Sequence, residues 1–231
     1  MKRIVLLFIL IAATTITAFA QGYYKQSVQN TFEDPAKENF NNGNYDVVTR
    51  LISQYRKGFD VSYIPAEKLM FDSGWDYFFE GEMYAKGLGR AKNCAEALKC
   101  YLNCVRKELL EDSDITSYNS HADHSHVIDN KYYRSAIKKY VNEAGCNPNN
   151  AQLQKMEQML QKAIKSGHEH ANSMYNNDKR YAAEGLGLFY EITKQYQKAL
   201  DAYKKALELT SSKYVQKSIQ KDIKRVEKLI K

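Results

Sequence analysis

The densest run of side chains able to do chemistry is His121-Ala122-Asp123-His124-Ser125-His126. Three imidazoles and a carboxylate within six residues offer nitrogen and oxygen donors of the kind that suit Zn, Cu or Ni. Against that reading, structural metal sites draw ligands from separate elements and orient them through further hydrogen-bonding partners. His168 and His170 could add donors, but nothing in the sequence brings them near the first three. The default is therefore a polar loop without a metal, with His121, His124 and His126 as subordinate candidates. Asp112, Asp114 and Asp123 lack the spacing and the glycine of a calcium loop. No G-x-S-x-G elbow is present, and no Gly-rich phosphate loop follows a strand. Glu80 and Glu82 lie near Tyr84 only as pairs on any helix surface do, and Trp75, Phe78 and Phe79 read as core. No catalytic set and no cofactor are called for, so the chain reads as a non-enzyme.

Cysteine is the next chemically distinctive type. Cys94, Cys100, Cys104 and Cys146 make an even count, which permits disulfides in an oxidising compartment. Cys100 and Cys104 stand four apart on one expected helix and would bridge poorly there. The expected pair is Cys104 with Cys146, joining two helical units. The alternative is four small buried hydrophobes. Without C-x-x-C, neither thioredoxin-type redox chemistry nor a zinc ribbon is supported.

The compartment follows from residues 1–20. Lys2 and Arg3 precede an apolar run, Ile4 to Ile11, and a small-residue stretch ends at Ala18-Phe19-Ala20. That order is a secretory signal peptide, with the mature chain starting at Gln21. The apolar run is short of the roughly 20 residues a membrane span needs. The expected localisation is therefore secreted or periplasmic, with no stable membrane insertion after cleavage. Loss of Lys2 and Arg3 lowers the formal charge from +7 to +5. Much of the excess lies after Ser212, where Lys213, Lys217, Lys221, Lys224, Arg225, Lys228 and Lys231 face only Asp222 and Glu227. Such a helix can attract nucleic acid or anionic lipid. The preferred reading is a solubilising outer face on the last helix, with no nucleic-acid partner.

The elements that must position these groups are helical. Hydrophobic residues make up 44% of the chain, and it holds only 3 prolines. That composition supports a core built from long helices, because proline breaks helix interiors. The 18 tyrosines suit half-buried positions between packed helices, where the ring fills space and the hydroxyl reaches a partner. Residues 21–33 read as a polar lead-in. Asp34-Pro35 is a helix start, and Asn42-Gly43-Asn44 turns between two short helices. A second start stands at Pro65. Leu69, Met70, Trp75, Phe78, Phe79 and Met83 recur at helical spacing until Lys86-Gly87-Leu88-Gly89. A helix from about Ala95 to Leu110 follows, then a polar loop over 111–130. Helices resume at Tyr132–Val141 and Ala151–Ile164, with Gly167 as a stop. Three more span roughly 178–192, 196–209 and 213–230. No strand-type alternation of useful length occurs.

Two segments share one layout. The later carries Gly187, Tyr190, Tyr196, Ala199, Tyr203 and Ala206, and small residues at Gly187 and Ala199 would let two helices approach while the tyrosines fill the space around them. Residues 178–211 thus resemble a tetratricopeptide repeat, although Ser211 stands where that family usually has a closing proline. The earlier carries Gly81-Glu82-Met83-Tyr84, Gly87-Leu88-Gly89, Glu96-Ala97 and Cys100-Tyr101, and resembles the Sel-one-like repeat. Lys162 to His168 resembles the end of another such repeat, and residues 36–52 resemble a decayed tetratricopeptide unit. The resemblance implies an all-α fold: a short α-solenoid of antiparallel helical hairpins. Degenerate hairpins would occupy 34–110 and further hairpins 131–231, closed by a capping helix with Val215, Ile219, Ile223, Val226 and Ile230 on one stripe.

In such arrays the first helix of each hairpin lines a concave surface that often holds a peptide. By position, the lining residues are Tyr181, Glu184, Leu188 and Glu191. The alternative is that a neighbouring helix or solvent fills this face. The expected function is an exported, non-catalytic scaffold for a protein or peptide partner. The alternatives are an envelope metal-binding protein using the loop at 121–126, and an accessory repeat subunit of an envelope enzyme.

Overall fold

A computed structural model describes residues 29–57, 74–110, 132–142, 145–165 and 175–230. The expected signal peptide, the Pro65 start, the loop at 111–130 with His121, His124 and His126, and the stop at Gly167 lie outside the described residues. The described residues form nine α-helices joined by turns, with no strand among them. No described helix is long and apolar enough to cross a membrane. The chain divides into two compact units near residue 70.

The first unit is a helical pair. α1 (Asp34–Asn41) and α2 (Tyr45–Arg56) pack together. Gly43, at φ +78°, makes the turn between them, in the left-handed region that glycine enters without steric cost. Asp34 does not cap α1 as expected: a π-helical turn, Gln29–Glu33, already leads into the helix, and no side-chain cap bond forms. The polar lead-in therefore ends early, with Phe32 buried and its ring 5.8 Å from that of Tyr55.

The second unit contains α3 (Trp75–Lys86), α4 (Cys94–Leu110), α5 (Tyr133–Asn142), α6 (Asn150–Lys165), α7 (Tyr175–Ile192), α8 (Tyr196–Glu208) and α9 (Lys213–Ile230). The expected spans of α4 to α9 agree to within a few residues, and α3 begins at Trp75 after Gly74. Gly87 ends α3 in the left-handed conformation while the Leu88 amide donates to the Met83 carbonyl at 2.9 Å. The Asn93 side chain then accepts from the amides of Ala95 and Glu96 and opens α4. Asn149 and Gln152 cap α6 reciprocally, each side chain accepting from the other's amide at 2.9 and 2.8 Å.

Packed hairpins α3–α4 and α7–α8 dominate the unit. α5 lies against α4 and α7, α6 against α7, and α9 against α8. The same close approach occurs in both hairpins. A Cβ on Gly81 would fall 2.8 Å from the Tyr101 ring, and one on Gly187 would fall 2.7 Å from the Tyr203 ring. Ala97, Ala199 and Ala206 are fully buried, as their small size requires. Trp75 and Phe79 are core residues, and Tyr132 packs on Phe78 and Phe79 at 5.1 and 5.9 Å. On α9, Ile219 and Val226 are buried, but Ile230 is exposed, so the expected stripe ends before the helix does.

A buried carboxylate gathers the mouth of this core. Glu108 on α4 is wholly inaccessible and accepts from the amides of Gly74, Tyr132 and Tyr133, the last at 2.7 Å. One side chain thus satisfies free amides at the starts of both α3 and α5.

Cysteine pairing differs from expectation. Cys146 bonds to Cys94, with Cα atoms 4.9 Å apart, and Cys100 and Cys104 are buried outside that bond. The expected Cys104–Cys146 bridge fails because Cys104 packs inward, its sulfur 2.8 Å from where a Cβ on Gly74 would stand. Cys94, at the start of α4, is the residue that meets the chain entering α6.

Candidate partner-binding surface

The four residues expected to line a groove all stand on α7, and the structure fills most of that face. Glu184 and Leu188 are buried, while Tyr181 and Glu191 are partly exposed. The neighbours supply arginines. Arg134 on α5 donates to Glu184 at 3.1 Å and to Asp222 of α9 at 3.4 Å. Arg180, one turn before Glu184, pairs with it directly. Arg225 on α9 holds Glu191 through two nitrogens, at 2.6 and 2.7 Å, and reaches Asp222 at 2.6 Å. Three arginines and three carboxylates therefore form one seam across α5, α7 and α9.

The electrostatics follow from that packing. Burial pushes the Glu184 carboxyl up from its ordinary value, and the charges of Arg180 and Arg134 offset only part of it. At Glu191 burial is the largest single effect and also raises the carboxyl. Hydrogen bonds from Arg225 and Tyr203, with the Arg225 and Arg134 charges, together carry it below its ordinary value. Arg225 is raised by its hydrogen bond to Glu191 and is locked in the cationic form. Tyr181 lies under the Arg180 guanidinium, 3.8 Å from the ring centroid, and meets the Tyr133 ring edge-on at 5.9 Å.

What remains open to a partner is the rim. Arg225 keeps 47% of its side-chain surface and Arg134 keeps 35%, against 8% for Glu184. The face thus offers two guanidinium edges and part of one aromatic ring over a charge-balanced floor. The sequence pointed to the α7 residues but not to Arg134 and Arg225, which pair with them, or to Asp222, which pairs with both arginines. Their positions mark them as charged helix residues, and only the fold aims them at α7.

A related arrangement recurs on the first hairpin. Tyr101 donates to Glu82 at 2.7 Å, and Glu82 also takes Lys86 and, at 3.0 Å, Lys139 of α5. In the second hairpin Tyr203 donates to Glu191 at 3.0 Å, and Glu191 takes Arg225 of α9. Each hairpin thus has a glycine under a tyrosine, a glutamate on its hydroxyl, and a cation from the next packed helix on that glutamate.

The remaining candidate chemistry is sparse. Among the described residues no group of three His, Cys, Asp or Glu side chains is set to hold a metal ion. No protein-family model, curated protein or solved structure matches the chain.

Proposed function

We propose that the chain is an exported helical-repeat scaffold of the tetratricopeptide and Sel-one-like kind, holding a protein or peptide partner and performing no catalysis itself. The observation that carries this reading is the recurrent glycine–tyrosine–glutamate–cation unit at Gly81, Tyr101, Glu82 and Lys139 and again at Gly187, Tyr203, Glu191 and Arg225. A repeated packing device of this sort suits a stack in which each hairpin buries its apolar face on the next. The pairings Gly74 with Glu108 and Gly81 with Tyr101 favour antiparallel helices within a hairpin. The Cys94–Cys146 pair favours an oxidising compartment, in keeping with a leader at residues 1–20.

Within this reading the partner lies along the seam of α5, α7 and α9. Arg134 and Arg225 would meet its carboxylates and Tyr181 an apolar side chain, while Glu184 and Leu188 support them from beneath. The test is capture from a native envelope extract by the immobilised mature chain. Tyr181→Ala, and separately the charge-neutral pair Glu191→Gln with Arg225→Gln, are expected to lower capture of the main bound protein at least tenfold. Circular dichroism should show unchanged helicity. Undiminished capture by both variants would rule out the seam, and a wild-type chain that retains nothing specific would rule out the scaffold.

A further inference from the structure

α9 carries a second charged feature, separate from the seam. Lys213, Lys217, Lys221, Lys224 and Lys228 are all exposed. Their steps of four, four, three and four residues, at about 100° each, place them within an arc of about 80° and along about 22 Å of helix. None of the five pairs with an acid or donates a side-chain hydrogen bond among the described residues. The helix's own acids stay off the row. Asp222 is buried on the opposite side against Arg134 and Arg225, and Glu227 stands at the row's edge. Tyr214, 85% exposed, flanks the row at its start.

We propose that this lysine row docks the protein on the anionic headgroups of a lipid bilayer, with α9 lying flat and uninserted. Charge complementarity and shape select that occupant. A straight row of compact ammonium groups suits a flat, laterally uniform sheet of negative charge, whereas arginine forks suit a few fixed carboxylates or phosphates. A partner helix would look for apolar residues within the row or for alternating charge, and the row has neither. The face that carries the row has no apolar residue to insert: Ile219 and Val226 are buried in the molecule, and the exposed Leu229 and Ile230 stand outside the lysine arc. Tyr214 has the ring and hydroxyl that favour the headgroup level.

Sedimentation of the full mature chain with vesicles tests this. Vesicles rich in phosphatidylglycerol should bind it at low salt and release it at high salt, and pure phosphatidylcholine vesicles should not bind it. Each lysine near such a surface strengthens binding about fivefold. The triple variant Lys217→Glu, Lys221→Glu and Lys224→Glu should therefore weaken binding about a hundredfold or more. The triple Lys138→Glu, Lys155→Glu and Lys204→Glu makes the same charge change at exposed lysines on α5, α6 and α8, and should stay within about fivefold of wild type. Equal losses in the two triples would overturn the proposal, since net charge alone would then explain binding. So would binding to neutral vesicles, or retention by an oligonucleotide or an acidic polypeptide with no binding to anionic vesicles.

Discussion

Gly187 lacks a side chain because the Tyr203 ring already occupies that space. A methyl group there would sit 2.7 Å from ring carbons, closer than van der Waals contact allows, and Tyr203 is itself fully buried. Gly187→Ala is therefore expected to cost about 1–3 kcal/mol, the range for overpacking a core. In the double variant Gly187→Ala with Tyr203→Leu the ring is gone, so the two losses should sum to less than their separate values. Urea melts of the four proteins give the coupling directly, and strict additivity would show that the glycine is not there for the tyrosine. This contact was legible in the sequence, because Gly187, Ala199 and Tyr203 stand at fixed steps on adjoining helices. The partner of Cys146 was not. A disulfide depends on which helix end lies beside the chain entering α6, and that is decided 52 residues away at Cys94.

At the scale of elements, the hairpins are tied to their neighbours through carboxylates. Glu82 joins α3 to α4 through Tyr101 and to α5 through Lys139. Burial is the largest influence on this carboxyl and raises it, yet the hydrogen bonds from Lys86, Tyr101 and Lys139 together bring it below its ordinary value of 4.5. A group depressed in the folded state adds stability that is fully present above the unfolded value and is lost as pH falls through the folded one. Glu191 acts in the same direction. Glu184 is raised, so the cost of burying its charge is present at neutral pH and relieved on acidification. Stability should therefore hold down to about pH 4.5, the unfolded carboxylate value, and fall below it. Glu82→Gln should give a shallower acid limb, measured as the denaturation midpoint between neutral pH and pH 3. An unchanged slope would mean that the α3–α4–α5 tie does not depend on the ionised group. Helix spans and the stop at Gly87 were readable from local signals, whereas the caps at Asn93 and Asn149 were not anticipated and the one expected at Asp34 does not form. The ties were not, because Lys139 lies 57 residues from Glu82 and Glu108 caps amides 24 to 34 residues away.

At the scale of the whole molecule, the helical class was legible because apolar residues recur at helical rather than alternating steps. The fate of the α7 face was not, because Arg134 reaches Glu184 across 50 residues and Arg225 reaches Glu191 across 34. Compartment and covalent structure bear on the same question. The Cys94–Cys146 bond closes a loop of 52 residues, and restricting the unfolded chain by that much is worth about 4 kcal/mol before any cost in the folded state. Export by the proposed leader predicts a chain that begins at Gln21 and yields, on digestion without reductant, one linked peptide pair containing Cys94 and Cys146. Cys100 and Cys104, both buried, should accept an alkylating agent only after unfolding. The chain made without residues 1–20 in a reducing cytosol should keep four thiols and be less stable by about 2–4 kcal/mol. A linked Cys104–Cys146 peptide would contradict the helix arrangement. Equal stability in the two preparations would mean that the disulfide is incidental and would remove the link between this fold and an oxidising compartment.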